Sequence, residues 1–370
     1  MYQLNNQPVI SDQKVSVIKK TKACEIHEDW DRYATTYYQS KNFLTYVEKF
    51  NPCNQRYYEL HSRGQFLGGG CVYSYKLDLF TFSKIWSPVK FNIVGIPVSI
   101  SDPGIIGEKD SIAQLLHHIY KNEQGLILVL NVNSEIASKP GIRLNMLPTI
   151  DFENYYRSWE EYIHDLRYPY RRRLNISLEK FSPVNVVESD CSCFTSPHYQ
   201  QYLQIINKTA TKIEVLTHDF FKNLPSNFML SSFYVKSRLI GWNITNLDKD
   251  TVCFFFGGID YSLNTQYNFY FNSLFHMIRR AIHHNCLYIN FGQTAEIPKL
   301  RTGGVLVRRY MILYHKTRIF RWIFKKIKPL LEYNPTLQNY RVFRKNNIGL
   351  GYTKKNLMVR NKNEINISSY

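Results

Sequence analysis

The densest group of reactive side chains lies between residues 287 and 304. Leu287-Tyr288-Ile289-Asn290-Phe291-Gly292 reads as an apolar strand ending in glycine, and a second strand resumes over Val305 to Tyr314. Between them, Gln293-Thr294-Ala295-Glu296-Ile297-Pro298-Lys299-Leu300-Arg301-Thr302-Gly303-Gly304 brings together an amide, an acid and two cations. Reactive groups of α/β enzymes sit on loops held at strand ends, which is where this segment falls. Glu296 and Lys299 also stand close enough in sequence to pair with each other, a purely structural use.

Upstream, a strand from Thr251 contains Phe254-Phe255-Phe256 and stops at Gly257-Gly258; a polar loop covers Ile259 to Gln266, and a helix runs from Tyr267 to His284. Main-chain N–H groups at such a helix start, aided by the helix dipole, attract a phosphate or a developing oxyanion. The two glycines let a ligand approach the main chain. A third cluster, Arg167-Tyr168-Pro169-Tyr170-Arg171-Arg172-Arg173, sets four arginines among tyrosines. It can grip phosphates or form a solvated basic face at a helix C-terminus. A fourth, His315 to Leu331, mixes Ile319, Phe320, Trp322, Ile323, Phe324 and Ile327 with Lys316, Arg318, Arg321, Lys325, Lys326 and Lys328. A basic helix of this kind lies on an anionic membrane surface or caps the core with its lysines outward.

The elements that position these clusters follow from periodicity. The first 20 residues are polar and irregular, a loose arm, as is the basic, Asn-rich tail beyond Arg344. Helical spacing covers Glu28 to Phe50; a hairpin follows over Arg56–Leu60 and Gln65–Tyr75, with Gly68-Gly69-Gly70 calling for a bulge or a close backbone approach. A strand at Phe91–Pro97, the loop Ser101-Asp102-Pro103-Gly104 bordering a cleft, a helix at Asp110–Asn122 and a buried strand at Leu126–Val132 complete this half. The other half offers a helix over Trp159–Leu178 interrupted at Pro169, short helices at His198–Asn207 and Asp219–Leu224, and a hairpin over Phe228–Ser237 and Leu239–Asn246. The order helix, hairpin, strand, helix, strand occurs twice, which implies duplication of one α/β unit. The seam falls near Asn133 to Asp151, a stretch holding Pro140, Gly141 and Pro148.

Composition limits the classes. With 370 residues, 44% hydrophobic, the chain has material for two ordinary domains. Charged residues at 21% exclude a disordered polyelectrolyte. The 28 Tyr and 23 Phe suit β-rich cores and apolar clefts. No stretch reaches the roughly 20 apolar residues of a membrane span, and the N-terminus lacks the order of a signal peptide, so a cytoplasmic protein is expected. The seven Cys are scattered and odd in number, which suits reduced thiols, and no second pair joins Cys191 and Cys193 at zinc spacing, so no metal is expected. The net charge of +18 attracts nucleic acid, anionic lipid or a phosphorylated cofactor without choosing among them. His276, His283 and His284 read as surface or packing residues.

On Asn290-Phe291-Gly292 followed by Lys299-Leu300-Arg301-Thr302-Gly303, residues 155 to 315 resemble the C-terminal unit of the Fem-type aminoacyltransferases of the GNAT superfamily and of the predicted N-acyltransferases grouped with them. In those families a strand ending F-G is followed by a K-x-x-x-G loop and another strand. Tyr170-Arg171-Arg172-Arg173-Leu174 fits the Y-R-x-x-[IL] segment that recurs there. The resemblance implies an α/β (α+β) fold of two tandem GNAT-like units, each a mixed, mostly antiparallel sheet flanked by helices. The N-terminal unit would span 1–150, the C-terminal unit with the reactive cleft 151–315, and a basic amphipathic helix and tail 316–370.

The implied activity is N-acyl transfer in cell envelope biosynthesis, from a thioester or ester donor to an amine-bearing acceptor. The donor would be an acyl-CoA, an acyl carrier protein or an aminoacyl-tRNA. In that setting Lys299 would stabilise negative charge, with Arg301 behind it. Glu296 and Asp260 would accept the proton or hold the amine. Tyr267 and Tyr270 would line the cleft or protonate the leaving group, and Gly257, Gly258, Arg301, Arg171 and Tyr170 would bind the donor. One departure matters. Where GNAT enzymes carry [RQ]-x-x-G-x-[GA], this chain has Ser262-Leu263-Asn264-Thr265-Gln266-Tyr267, which shifts the expectation from free coenzyme A toward a tethered donor. No heptad run stands for the helical-hairpin arm of the tRNA-dependent enzymes. The rival expectation is a chain that keeps the fold without the chemistry and binds nucleic acid, envelope glycan or an anionic membrane surface, peripherally in the last case. Nothing in the residues fixes an oligomeric state.

Overall fold

The computed structural model describes residues 15–83, 85–98, 100–138, 140–208, 214–334 and 340–344. The tail read beyond Arg344 and most of the N-terminal arm lie outside the described residues. The first half begins with β1 (Val15–Lys20), α1 (Trp30–Tyr33) and α2 (Lys41–Phe50), then β2 (Arg56–Ser62), β3 (Gln65–Asp78), β4 (Pro88–Val94) and β5 (Ile105–Gly107). Helix α3 (Lys109–Asn122), β6 (Leu126–Val132) and β7 (Ile142–Glu153) follow. The second half contains α4 (Trp159–Asp165), α5 (Tyr168–Phe181), β8 (Val184–Asp190), α6 (Ser196–Lys208) and α7 (His218–Lys222). It continues with β9 (Phe228–Val235), β10 (Arg238–Asp248), β11 (Thr251–Ile259), α8 (Tyr261–Tyr267), α9 (Phe269–His283), β12 (Tyr288–Asn290), α10 (Glu296–Arg301) and β13 (Val305–Tyr314). Helices α11 (Arg318–Lys326) and α12 (Lys328–Leu331) come last.

All the strands join one mixed, mostly antiparallel sheet in the order β1-β2-β3-β4-β6-β13-β7-β12-β11-β10-β9-β8, with β5 beside β3. Within each half four strands run antiparallel, and the fourth pairs in parallel with the strand that follows a long helix. That pair is β4 with β6 across α3 in one half, and β11 with β12 across α9 in the other. The halves therefore repeat one unit, as the element order anticipates. At the centre they exchange strands. β7, continuing from β6, pairs with β12, and β13, continuing from β12, pairs with β6. β7 and β13 pair antiparallel from Val305↔Asp151 to Leu313↔Ile142, so a local two-fold axis passes between them.

Both faces are covered. Along β13, Leu306 packs with the α9 cluster while Tyr310 and Ile312 pack with α3. Alternate residues share a face, so α3 and α9 lie on the same side. On the opposite side the two halves meet through aromatic rings: Phe43 and Phe228 at 6.0 Å, Tyr46 and Phe220 at 5.3 Å, Tyr38 and Phe255 at 5.6 Å. The Tyr46 hydroxyl also donates to the Phe220 carbonyl. These aromatic rings thus fasten one half to the other.

Several elements, the short β5 among them, depart from the sequence expectation. β1 and β8 are outer strands whose residues alternate only weakly between buried and exposed, because an edge strand carries charge to discourage further pairing. β7 was read as a seam because of Gly141 and Pro148. Pro148 instead stands where the β7–β13 register slips between Val307 and Arg309, a bulge at which no ladder N–H is needed. α8 and α10 are short polar helices inside segments read as loops. Pro169 does interrupt the expected long helix, by starting α5. β11 does not stop at Gly257-Gly258 but runs through both to Ile259, opposite Asn243 and Trp242.

Gly258 has a packing reason. A Cβ there would lie 2.0 Å from Nε1 of the buried Trp242, whose indole N–H donates to the His198 carbonyl at 2.9 Å. Gly258→Ala should therefore destabilise the protein by about 1–3 kcal/mol, the usual cost of overpacking, as read from urea unfolding; an unchanged midpoint would contradict this packing.

Candidate functional site

Strands β11 and β12 run side by side only over Thr251–Cys253 and Tyr288–Asn290. Past that point β11 continues along β10 alone, and the chain after β12 turns away. The parting has local causes. Phe255 is an extra residue in β11 at the Ile244/Thr245 step of β10, a bulge that bends the strand. Gly292, two residues beyond the last paired Asn290, takes φ +71°, a left-handed conformation that suits glycine.

The first half repeats this geometry. β4 and β6 pair through Val94 and Val129, and Asn131, two residues on, has φ +59°. There, however, the chain's own residues 95–107 occupy the neighbourhood. The Cys71 amide donates to the Gly104 carbonyl at 2.8 Å, the Gly95 amide donates to the Cys71 carbonyl at 3.1 Å, and β5 pairs with β3. At the equivalent place in the second half stands Lys299.

Lys299 is only 2% exposed. Its Nζ donates to the carbonyls of Gln293 at 2.7 Å and Gly292 at 3.3 Å, and lies 5.9 Å from the centre of the Phe254 ring. Its partners are main-chain carbonyls rather than carboxylates. Burial pulls its pKa down to about 7, with the Glu296 carboxylate opposing. The loop it clasps is strained: Thr294 and Ala295 are left-handed at φ +64° and +45°, at about 1–3 kcal/mol each. A neutral hydrogen bond contributes about 1 kcal/mol and one from a charged donor about 1.5–3. Strain and bonds are thus of one size, and the loop's shape depends on the lysine.

A second tie crosses the central strands. The Gln293 side-chain amide donates to the Leu147 carbonyl at 2.8 Å and to Asn131 Oδ1 at 3.1 Å. Leu147 lies at the β7 bulge and Asn131 where β6 slips against β13, so one side chain bridges both irregularities. Asn131 in turn donates to the Ile100 carbonyl at 2.7 Å. Near this line two carboxyls are pushed up to about 6 by burial, against the pull of Arg309: Asp102 in the 95–104 loop and Asp151 on β7. Sequence reasoning missed Asn131, Asp151 and Arg309. The available signal was a charge, Arg309, inside the apolar strand Val305 to Tyr314.

The other expected residues are dispersed. Glu296 shares α10 with Lys299, but its Oε1 accepts the Tyr333 hydroxyl at 2.8 Å. Arg301 lies over the Tyr340 ring, 5.4 Å from its centre. Asp260 caps α8, accepting the Ser262 amide at 3.0 Å, and pairs with Arg238 at 2.7 Å. It stands six residues beyond Phe254 on β11, roughly 20 Å along an extended strand, so Asp260 and Lys299 are not brought together. Tyr267 ends α8 and packs with Phe233, Ile259 and Phe269. The start of α9 follows the left-handed Asn268, and its Tyr270 amide donates to Asn264 Oδ1 at 3.1 Å. Tyr170 and Arg171 lie in the first turn of α5, Tyr170 against the α9 cluster. The arginines thus stand at a helix N-terminus, not a C-terminus, where the dipole disfavours cations and favours a neighbouring anion. No group of three or more His, Cys, Asp or Glu able to hold a metal occurs among the described residues.

The buried lysine makes stability depend on pH. Between about pH 7 and 10 the unfolded chain keeps a proton that folded Lys299 has shed, so the Lys299 contribution to stability should rise with pH there, by at most about 1.4 kcal/mol per unit; below pH 7 that contribution is flat. Lys299→Met should abolish that rise in urea unfolding series, and an unaltered slope would show that Lys299 titrates normally.

No protein-family model and no curated protein matches the chain. Solved structures do resemble it. FemX is 10% identical, over 76% of this chain and 92% of that one, with a TM-score of 0.46. L-PGS from Bacillus licheniformis is 9% identical over 78% and 91%, with a TM-score of 0.46. A conserved protein of unknown function from Bacteroides thetaiotaomicron is 11% identical over 80% and 99%, with a TM-score of 0.47.

Proposed function

We propose that the chain transfers an acyl or aminoacyl group from an activated ester or thioester to an amine, at the point where β11 and β12 part. The observation that carries this reading is Lys299: a buried amine with a pKa near neutrality, held by two carbonyls where the strands diverge. A protonated lysine has three N–H groups. Two are committed to Gln293 and Gly292, and the third remains for a substrate carbonyl oxygen turning negative. The amine lone pair forms the new C–N bond while the carbonyl π pair moves to oxygen. Collapse of the tetrahedral adduct expels the thiolate or alkoxide, which is reprotonated as the attacking nitrogen loses its proton. A desolvated cation stabilises that adduct more than the neutral substrate, which is what speeds the step.

The pKa favours a second reading of the same residue. A neutral Lys299 keeps two N–H bonds and presents a lone pair in place of the third donor, so it can accept the proton of the attacking amine. The parted edge of β11 and the basic character of the chain suit a donor that bears phosphates, whether acyl-CoA, acyl carrier protein or aminoacyl-tRNA.

The test is mass-spectrometric detection of acylated amines with each donor class. Lys299→Ala should fold, and lower kcat by ~10²-fold or more if a charged donor to the oxyanion is lost; unchanged turnover would remove Lys299 from the reaction. In the wild type, kcat falling as pH rises through about 7 identifies the ammonium as donor, whereas kcat rising through the same range identifies the amine as base.

A further inference from the structure

Helix α11 exposes more apolar surface than the protein covers. Of its five large apolar side chains only Phe324 is buried. Ile319 and Trp322 are each 62% exposed, and Phe320 and Ile323 are also open to solvent. Phe324 packs with Leu331, Ile327, Phe80 and Phe82 in one cluster, which places the β3–β4 connection beside the helix. The Phe82 ring also lies 5.4 Å from that of Tyr333, just beyond α12. That connection exposes a second tryptophan, Trp86, at 65%, together with Ile85. Two segments far apart in sequence, joined through one apolar cluster, thus each expose a tryptophan beside open aliphatic side chains.

The charges on the helical side of this apolar surface are predominantly positive. From His315 to Glu332 there are six Lys or Arg residues and a single acid, Glu332, and Glu332 lies opposite Lys328 at 3.7 Å. On α11 the cations Arg318, Lys325 and Lys326 alternate around the helix with Ile319, Trp322 and Ile323. A protein partner large enough to cover so basic a surface would need matching carboxylates at fixed positions. A lipid surface needs only anionic headgroups at the depth where lysine and arginine stems reach outward and tryptophan prefers to sit. Among the described residues no helix is long and apolar enough to cross a membrane, so contact here lies in the interface plane.

We infer that α11 and the adjoining β3–β4 connection form one docking surface for an anionic lipid bilayer, with Trp86, Ile319, Trp322 and Ile323 entering the headgroup region and the flanking Lys and Arg meeting lipid phosphates. The surface is independent of Lys299 and of any acyl transfer.

The test uses the full chain and extruded phosphatidylcholine vesicles with and without phosphatidylglycerol. Binding by co-sedimentation should require the anionic lipid and weaken with salt. Trp86→Ser with Trp322→Ser should abolish it, and Lys325→Glu with Lys326→Glu should weaken it by ~25-fold or more, since each basic residue near an anionic surface contributes about fivefold. All four side chains are on the surface, so the variants should unfold at the wild-type urea midpoint; should either fail to fold, the comparison of the two vesicle types on the wild type still decides. The inference is overturned by equal partition onto both vesicle types, by no partition onto either, by folded variants that bind like the wild type, or by a dimer in sedimentation velocity that the tryptophan variant abolishes while lipid binding is absent.

Discussion

β7 and β13 hydrogen-bond to each other, and each also bonds to the parallel strand of the opposite half. Because of that exchange, neither half closes its sheet without the other, and the centre of the molecule is a ladder to which both contribute. The ladder is irregular where function would be placed. β7 slips beside Pro148, between Val307 and Arg309 of β13, and β6 slips at Asn131, between Tyr310 and Ile312. Each slip frees main-chain groups from sheet pairing, and these must find partners elsewhere. One glutamine, Gln293, satisfies the Leu147 carbonyl at the first slip and reaches the Asn131 side chain at the second. The loop that carries Lys299 is therefore shaped by constraints that begin in the exchanged strands.

The two halves resolve the same geometry differently. Each has a strand pair that parts and a left-handed residue two positions beyond the last pairing, Asn131 in one and Gly292 in the other. In the first half the Asn131 side chain anchors the chain's own loop at Ile100. In the second a lysine reaches in from α10. Burying an ammonium against carbonyls alone is unfavourable, and the strained Thr294-Ala295 pair adds to that cost. A fold that needed only mechanical closure could place an apolar residue there instead. The combination of a desolvated amine with backbone strain is what separates this corner from ordinary packing.

The repeat, the long helices and most strands were legible because apolar periodicity is strong in them: α3 and α9 bury one stripe each, and β6 is a nearly continuous apolar run. Lys299 and Gly292 were legible as a dense polar loop between apolar strands. The rest was hidden for identifiable reasons. A proline at a bulge imitates a linker, so β7 could not be read as central. Gly257 and Gly258 imitate a turn, but the strand runs through both and Gly258 makes room for the Trp242 ring. Asp260 and Tyr267 looked close to Lys299 because they precede it in a short stretch of sequence. Yet β11 carries them off along the sheet while α9 and β12 return the chain to the other end. Asn131 and Arg309 meet the site through strand exchange, which no local pattern encodes.

The same exchange sets an order on biosynthesis. β6 leaves the ribosome with β4 available on one edge, but its other neighbour does not exist until Tyr310 to Tyr314 are made. β7 likewise emerges before either of its partners. The nascent first half must therefore wait with two unpaired, apolar strand edges, the condition most prone to wrong association. Synthesis of the first half alone leaves β7 without either neighbour. The central ladder is complete only once β12 and β13 have been made.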